Sequence, residues 1–150
     1  MFRKILLMIA IGMLVLVMID CKKDGTPEPS DKDKQLQALS FTWTCTVANK
    51  DGVVQTGYDN FKITISGTPG NNTFGYVCNG RPAMSPWPSS GTFTFSEQTA
   101  ATDLTRQDGL AVHYTVVGNT FEVTFDYNGE GFSGRVSEIP GVWVFRFTRN

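Results

Sequence analysis

One histidine, His113, stands in the 150-residue chain, and any acid–base hydrolysis would have to be built on it. A nucleophile of the Ser-His-Asp kind needs a base held by a third group, and no Gly-x-Ser-x-Gly turn accompanies this residue. His113 alternates with apolar neighbours on its strand, so parity puts it on the polar side, as a surface residue. Asp103, Asp108, Asp126 and Glu130 lie near turns, but their spacing is not that of a calcium loop. No pair among them is singled out for glycoside hydrolysis, which needs two carboxyl groups flanking one bond. These patterns predict a chain that is not an enzyme, with no catalytic residues, no metal site and no cofactor.

The three cysteines, Cys21, Cys45 and Cys78, have no Cys-x-x-Cys spacing, which leaves a redox or zinc role unsupported. Cys45 is in phase with Trp43, and Cys78 with Phe74 and Tyr76, so both point inward. A strand near residues 61–65 would separate them by about two strand spacings of ~4.8 Å. Bridged Cα atoms are seldom more than about 7 Å apart. Two buried thiols are therefore favoured over a disulfide, with the bridge left as the alternative.

Binding chemistry has more to stand on. Residues 79–91 read Asn-Gly-Arg-Pro-Ala-Met-Ser-Pro-Trp-Pro-Ser-Ser-Gly, in which three prolines forbid a regular ladder. Long connections of this kind are usually either functional or disordered. Met84 and Trp87 between prolines offer a rigid apolar surface, and Arg81 can pair with an acid or a sugar hydroxyl. The competing reading folds Trp87 back as a plug in one end of the domain, since most Trp side chains are largely buried. Trp43, Tyr114 and Tyr127, with Tyr58, form a second candidate set, able to line a cavity and orient a ligand through their hydroxyls.

The elements that must position these residues are strands. Residues 41–47 alternate Phe41, Trp43, Cys45 and Val47 with threonine, the pattern of a strand with one face buried. Val53 and Val54 begin a returning strand. Phe61, Ile63 and Ile65 follow, then Phe74, Tyr76 and Cys78, then Phe93 and Phe95. Residues 102–109 read as a polar connection. Val112, Tyr114 and Val116 precede a Gly118-Asn119 hairpin signal, and Phe121, Val123, Phe125 and Tyr127 make the cleanest strand. Asn128-Gly129 turns the chain. Phe132 and Val136 continue it, and Trp143, Phe145 and Phe147 end it. From Ser40 onward there are seven basic and nine acidic residues with no block of one sign, which argues against nucleic acid as a partner.

The N-terminus carries an address. Arg3 and Lys4 precede an apolar run over 5–19, followed by Asp20 and Cys21. A basic start and an apolar stretch shorter than the roughly 20 residues of a membrane span describe a signal peptide. Met18-Ile19-Asp20-Cys21 resembles the end of a bacterial lipoprotein signal, with Asp20 where such signals usually carry Gly, Ala or Ser. Cys21-Lys22-Lys23-Asp24 is similar to the charged export tag of surface lipoproteins common in Bacteroidota. The resemblance implies cleavage before Cys21, acylation of that cysteine, and an outer-membrane lipoprotein on the periplasmic side or the cell surface. Residues 22–34 alternate Lys with Asp or Glu around Pro27 and Pro29 and read as a disordered tether. Leu36 and Leu39 suggest one helical turn behind it.

The expected organisation is a signal peptide over 1–20, a lipidated cysteine and tether over 21–40, and an all-β domain over 41–150. About eight strands joined by short turns predict an antiparallel up-and-down meander, closed as a barrel in preference to a two-sheet sandwich. Trp43 early on the first strand, with Arg146 or Arg149 at the end of the last, resembles the lipocalin pattern in which an arginine covers a tryptophan. That resemblance implies a lipocalin-like barrel. The function expected is a monomeric, membrane-anchored, non-catalytic binding or assembly module for a protein or glycan. The alternative is a carrier that holds a small apolar or sugar-like ligand in the barrel.

Overall fold

The computed structural model describes residues 28–129 and 139–149. The signal segment, Cys21, the tether as far as residue 27, Glu130, Phe132 and Val136 lie outside the described residues.

One helix, α1 (Asp31–Leu39), precedes nine strands: β1 (Thr42–Lys50), β2 (Val53–Val54), β3 (Lys62–Ser66), β4 (Phe74–Asn79), β5 (Ser90–Phe95), β6 (Asp103–Arg106), β7 (Ala111–Val117), β8 (Thr120–Tyr127) and β9 (Gly141–Thr148). The strands lie in the order β2-β1-β3-β4-β5-β6-β7-β8-β9, every pair antiparallel, and β9 returns to β1. Eight strands thus close into a barrel, and β2 is an extra ribbon on β1. Closure excludes the two-sheet alternative, which would leave edges unpaired. The strand expected to return at Val53 is only this two-residue ribbon, and both valines are exposed. The returning barrel strand is β3.

Alternation sets the core. Trp43 pairs with Ile63, Ile63 with Cys78, and Phe121 with Phe147, all buried. Because β3 runs between them, Cys45 and Cys78 are separate, buried, free thiols. Three departures from strict alternation have local causes. The β1–β9 register slips between Cys45 and Val47, a bulge that turns Val47 outward and sends Ala48 inward. Phe41 precedes β1 and is 42% exposed, covered instead by Arg149. Residues 103–106, expected as polar connection, form β6, with Leu104 and Arg106 facing in.

Successive turns of an up-and-down barrel fall at opposite ends. The β3–β4, β5–β6 and β7–β8 turns share one end with α1, here the helix end. The β4–β5, β6–β7 and β8–β9 connections share the other, the loop end. At the helix end, Ser30 caps α1 by accepting from the Asp33 N–H at 3.1 Å, and Asp31 and Asp33 suit the positive end of the helix dipole. Leu36 and Leu39 are buried, and Asp33 accepts from the Gly70 N–H at 2.8 Å. The tether expected through Lys34 therefore gives way to helix at Asp31, and the single turn expected from Gln35 is a nine-residue helix closing the barrel.

Candidate functional site

The loop end is where polar chemistry enters the barrel. Between β4 and β5 the chain leaves through Gly80, whose φ of 65° and approach to the Asn60 carbonyl leave no room for a Cβ. It runs outward past Arg81 and Met84, then turns in. Ser85, Pro86 and Trp87 are buried, and the Trp87 N–H donates to Ser85 Oγ at 3.2 Å. Prolines at 82, 86 and 88 hold this path without a ladder.

Trp87, 3% exposed, fills the barrel beneath the loop. Its ring lies 5.7 Å from Tyr76, 5.6 Å from Phe125, 6.2 Å from Phe145 and 6.3 Å from Phe61, mostly edge to face. Of the two readings of Trp87, surface anchor and plug, this placement is that of the plug. The side chain is a plug, because burying an indole in a cage of aromatic rings outweighs leaving it in water.

Arg106 is the residue that pattern reading missed. It is 2% exposed on the inner face of β6, and its guanidinium carbon lies 5.1 Å from the Trp87 ring centre. Nε donates to Asp108 Oδ1 at 3.2 Å, and Nη2 pairs with Asp108 Oδ2. Nη1 donates to the Pro86 carbonyl at 2.8 Å. Partial burial pushes the Asp108 carboxyl up, but the hydrogen bonds and charge of Arg106 outweigh it and hold the group below the ordinary carboxylate value. The pair is therefore neutral in sum, as a buried charge must be. Gly91, opposite Tyr76 on β5, leaves room for the phenol: a Cβ there would strike the hydroxyl.

Two donors in this cluster, Tyr76 O–H and Trp87 Nε1–H, are buried without a hydrogen-bond partner among the described residues. Burial pushes the Tyr76 phenol up to about 12, with Arg106 opposing the rise. Tyr76, Trp87 and Arg106 line a cavity of about 20 Å³ whose other walls include Ile63, Leu104 and Val123. That is space for about one water molecule.

The other expected residues are dispersed. Arg81 is half-buried, with Nη1 donating to the Pro82 carbonyl at 3.4 Å. Met84 is 40% exposed and borders a surface cleft of about 390 Å³ with Tyr58, Pro82, Ile139 and Trp143. Burial pushes the Tyr58 phenol up to about 12, and the Ser85 hydroxyl beside it opposes the rise. Trp43 and Tyr114 sit at the helix end: Trp43 Nε1 donates to the Leu39 carbonyl at 2.8 Å, and Tyr114 O–H bonds the Ala100 carbonyl. Tyr127 is buried at the loop end beside Gly129. Trp43, Tyr114 and Tyr127 therefore do not line one cavity. Arg149, not Arg146, covers Trp43, at 5.1 Å from its ring, while Arg146 pairs with Glu122 outside the barrel.

His113 is exposed and meets Asp103 Oδ1 at 3.0 Å, where hydrogen bonds from Thr99, His113 and Thr102 hold that carboxyl at about 2. Among the described residues no cluster of three or more His, Cys, Asp or Glu is placed to hold a metal ion. No protein-family model, curated protein or solved structure matches the chain.

Proposed function

We propose that the chain is a non-catalytic binding or assembly module held at the cell envelope by a lipid on Cys21. The filled barrel carries the binding half of this reading. The cavity beneath Trp87, about 20 Å³ among the described residues, is far below the roughly 300–1,000 Å³ of ordinary ligand pockets. Recognition then falls to the surface, and the outer arm of the 79–91 loop, with Arg81 and Met84, has the residue types that anchor interfaces. The fold supports the geometry as well: the chain enters at Ser30 on the helix end, so an anchor upstream leaves the loop end directed away from the membrane.

Two measurements on protein purified from membranes test this. Mass spectrometry should give an N-terminus at an acylated Cys21; a chain beginning at Met1 with unmodified Cys21 ends the anchor half. The variant Arg81→Glu/Met84→Asp should lose chemically cross-linked partners at an unchanged melting temperature. Capture equal to that of the native chain ends the binding half.

A further inference from the structure

We propose that Asn128 is a self-modifying site, converted through a cyclic imide to aspartyl and isoaspartyl forms, while the matching Asn79 is protected by the fold. The inference goes beyond the surface reading above and depends neither on the lipid anchor nor on a partner.

The chemistry needs an asparagine followed by a residue with no side chain to obstruct the attack. Only Asn79 and Asn128 precede glycine in this chain. At Asn128, the Gly129 backbone nitrogen attacks the side-chain amide carbon. A C–N bond forms, the bond to the side-chain nitrogen breaks, and the Gly129 proton leaves with it as ammonia. Water then opens the five-membered imide. Opening at the side-chain carbonyl gives aspartate, and opening at the backbone carbonyl gives isoaspartate, with the chain routed through the side chain. The sum is one water in and one ammonia out, with no change of oxidation state.

The two sites differ in how freely the backbone can bring that nitrogen over the side chain. Ring closure requires the asparagine to leave the extended range of ψ, which a paired strand resists. Asn79 is the last residue of β4 and pairs with Lys62. Gly80 behind it is seated on the Asn60 carbonyl, where a Cβ would come within 2.1 Å of the oxygen. Closing the ring there unseats Gly80 and breaks the pairing. Asn128 instead lies past the end of β8, and both it and Gly129 are exposed. No hydrogen bond ties its side chain to another described residue. The described Asp-Gly pairs do not compete: Asp51 accepts from the Val142 N–H at 2.8 Å, and Asp108 pairs with Arg106. A carboxylate anion is also a poor target for a nitrogen nucleophile.

Conversion changes the loop end. Asn128 borders a cleft of about 420 Å³ with Asp108, Asp126 and Tyr127, so the product places a third carboxylate there. Gly129 packs so closely on Tyr127 that a Cβ would lie 2.9 Å from the phenol oxygen. The extra backbone carbon of the isoaspartyl form shifts Gly129 from that seat.

The full chain, purified in detergent and held at mildly alkaline pH in heavy-oxygen water, tests this by peptide mapping. Asn128 should convert with one heavy oxygen gained, the isoaspartyl form outnumbering the aspartyl form. Asn79 should convert at least about tenfold more slowly, a barrier difference of about 1.4 kcal/mol. In denaturant the two rates should converge, since the protection of Asn79 belongs to the fold. The proposal is overturned if Asn79 converts as fast as Asn128 in the folded chain, or if Asn128 stays an amide there while the unfolded chain converts. It is equally overturned by an aspartyl product alone at position 128, the mark of direct hydrolysis. A rate difference that persists in denaturant also sinks it, because the cause would then be sequence rather than structure.

Discussion

Single side chains decide how full this barrel is. Phe125 is 3% exposed and lies 6.0 Å from the Phe145 ring and 5.6 Å from the Trp87 ring. Phe125→Ala should therefore cost about 3–5 kcal/mol in denaturant unfolding, through lost burial and the cavity left behind. The buried thiols and phenols give a second expectation. Burial pushes Cys45 up to about 11 and Cys78, Tyr58 and Tyr76 up to about 12. In the unfolded chain these groups release protons near pH 8.5–10. Their contribution to stability is full below about pH 8 and is lost as pH rises toward 12, because the unfolded state then ionises first. Unfolding free energy measured from about pH 7 to 11 should fall above about pH 8. Cys45→Ala/Cys78→Ala should make that fall shallower. At this scale the sequence was a fair guide to the inward phenylalanines and the separated cysteines, since both follow from period-two alternation. Arg106 was illegible: an arginine between Thr105 and Gln107 looks like surface, and the Trp87 ring, the Pro86 carbonyl and the Asp108 carboxylate make its burial tolerable.

Among the elements, α1 contributes more than its short, mostly polar sequence suggests. Leu39 is fully buried, and its carbonyl accepts the Trp43 indole N–H at 2.8 Å. Leu39→Ala should destabilise the fold by about 3–5 kcal/mol, the cost of emptying a closed leucine site. A loss under about 0.5 kcal/mol would mean that α1 frays from the barrel. The helix was hard to read because its run of alternating Lys and Asp resembles a solvated tether; the Ser30 cap and two leucines outweigh that composition. β6 was missed for a similar reason. Asp103, Thr105 and Arg106 carry no apolar alternation beyond Leu104, and pairing to β5 and β7 makes the strand. Conversely, the hairpin at Gly118-Asn119 and the strand from Thr120 were plain, because turn chemistry and alternation agree there.

For the whole molecule, closure is the feature on which the proposed binding role rests. Eight antiparallel strands leave no long open edge, α1 covers one end and Trp87 fills the other, and the cavity lined by Tyr76, Trp87 and Arg106 has room for about one water. The described chain enters at the helix end, and the 79–91 loop lies at the opposite end, where the proposed surface would be presented. Two exposed residues sample these ends: Met84 at the loop end, 40% exposed, and Val117 at the helix end, 76% exposed. The most direct test places a photo-crosslinking amino acid at each position in turn, in cells expressing the full-length chain. The account predicts a discrete adduct from position 84 and none from position 117. An adduct from 117 alone, or none from either, would contradict a binding surface at the loop end.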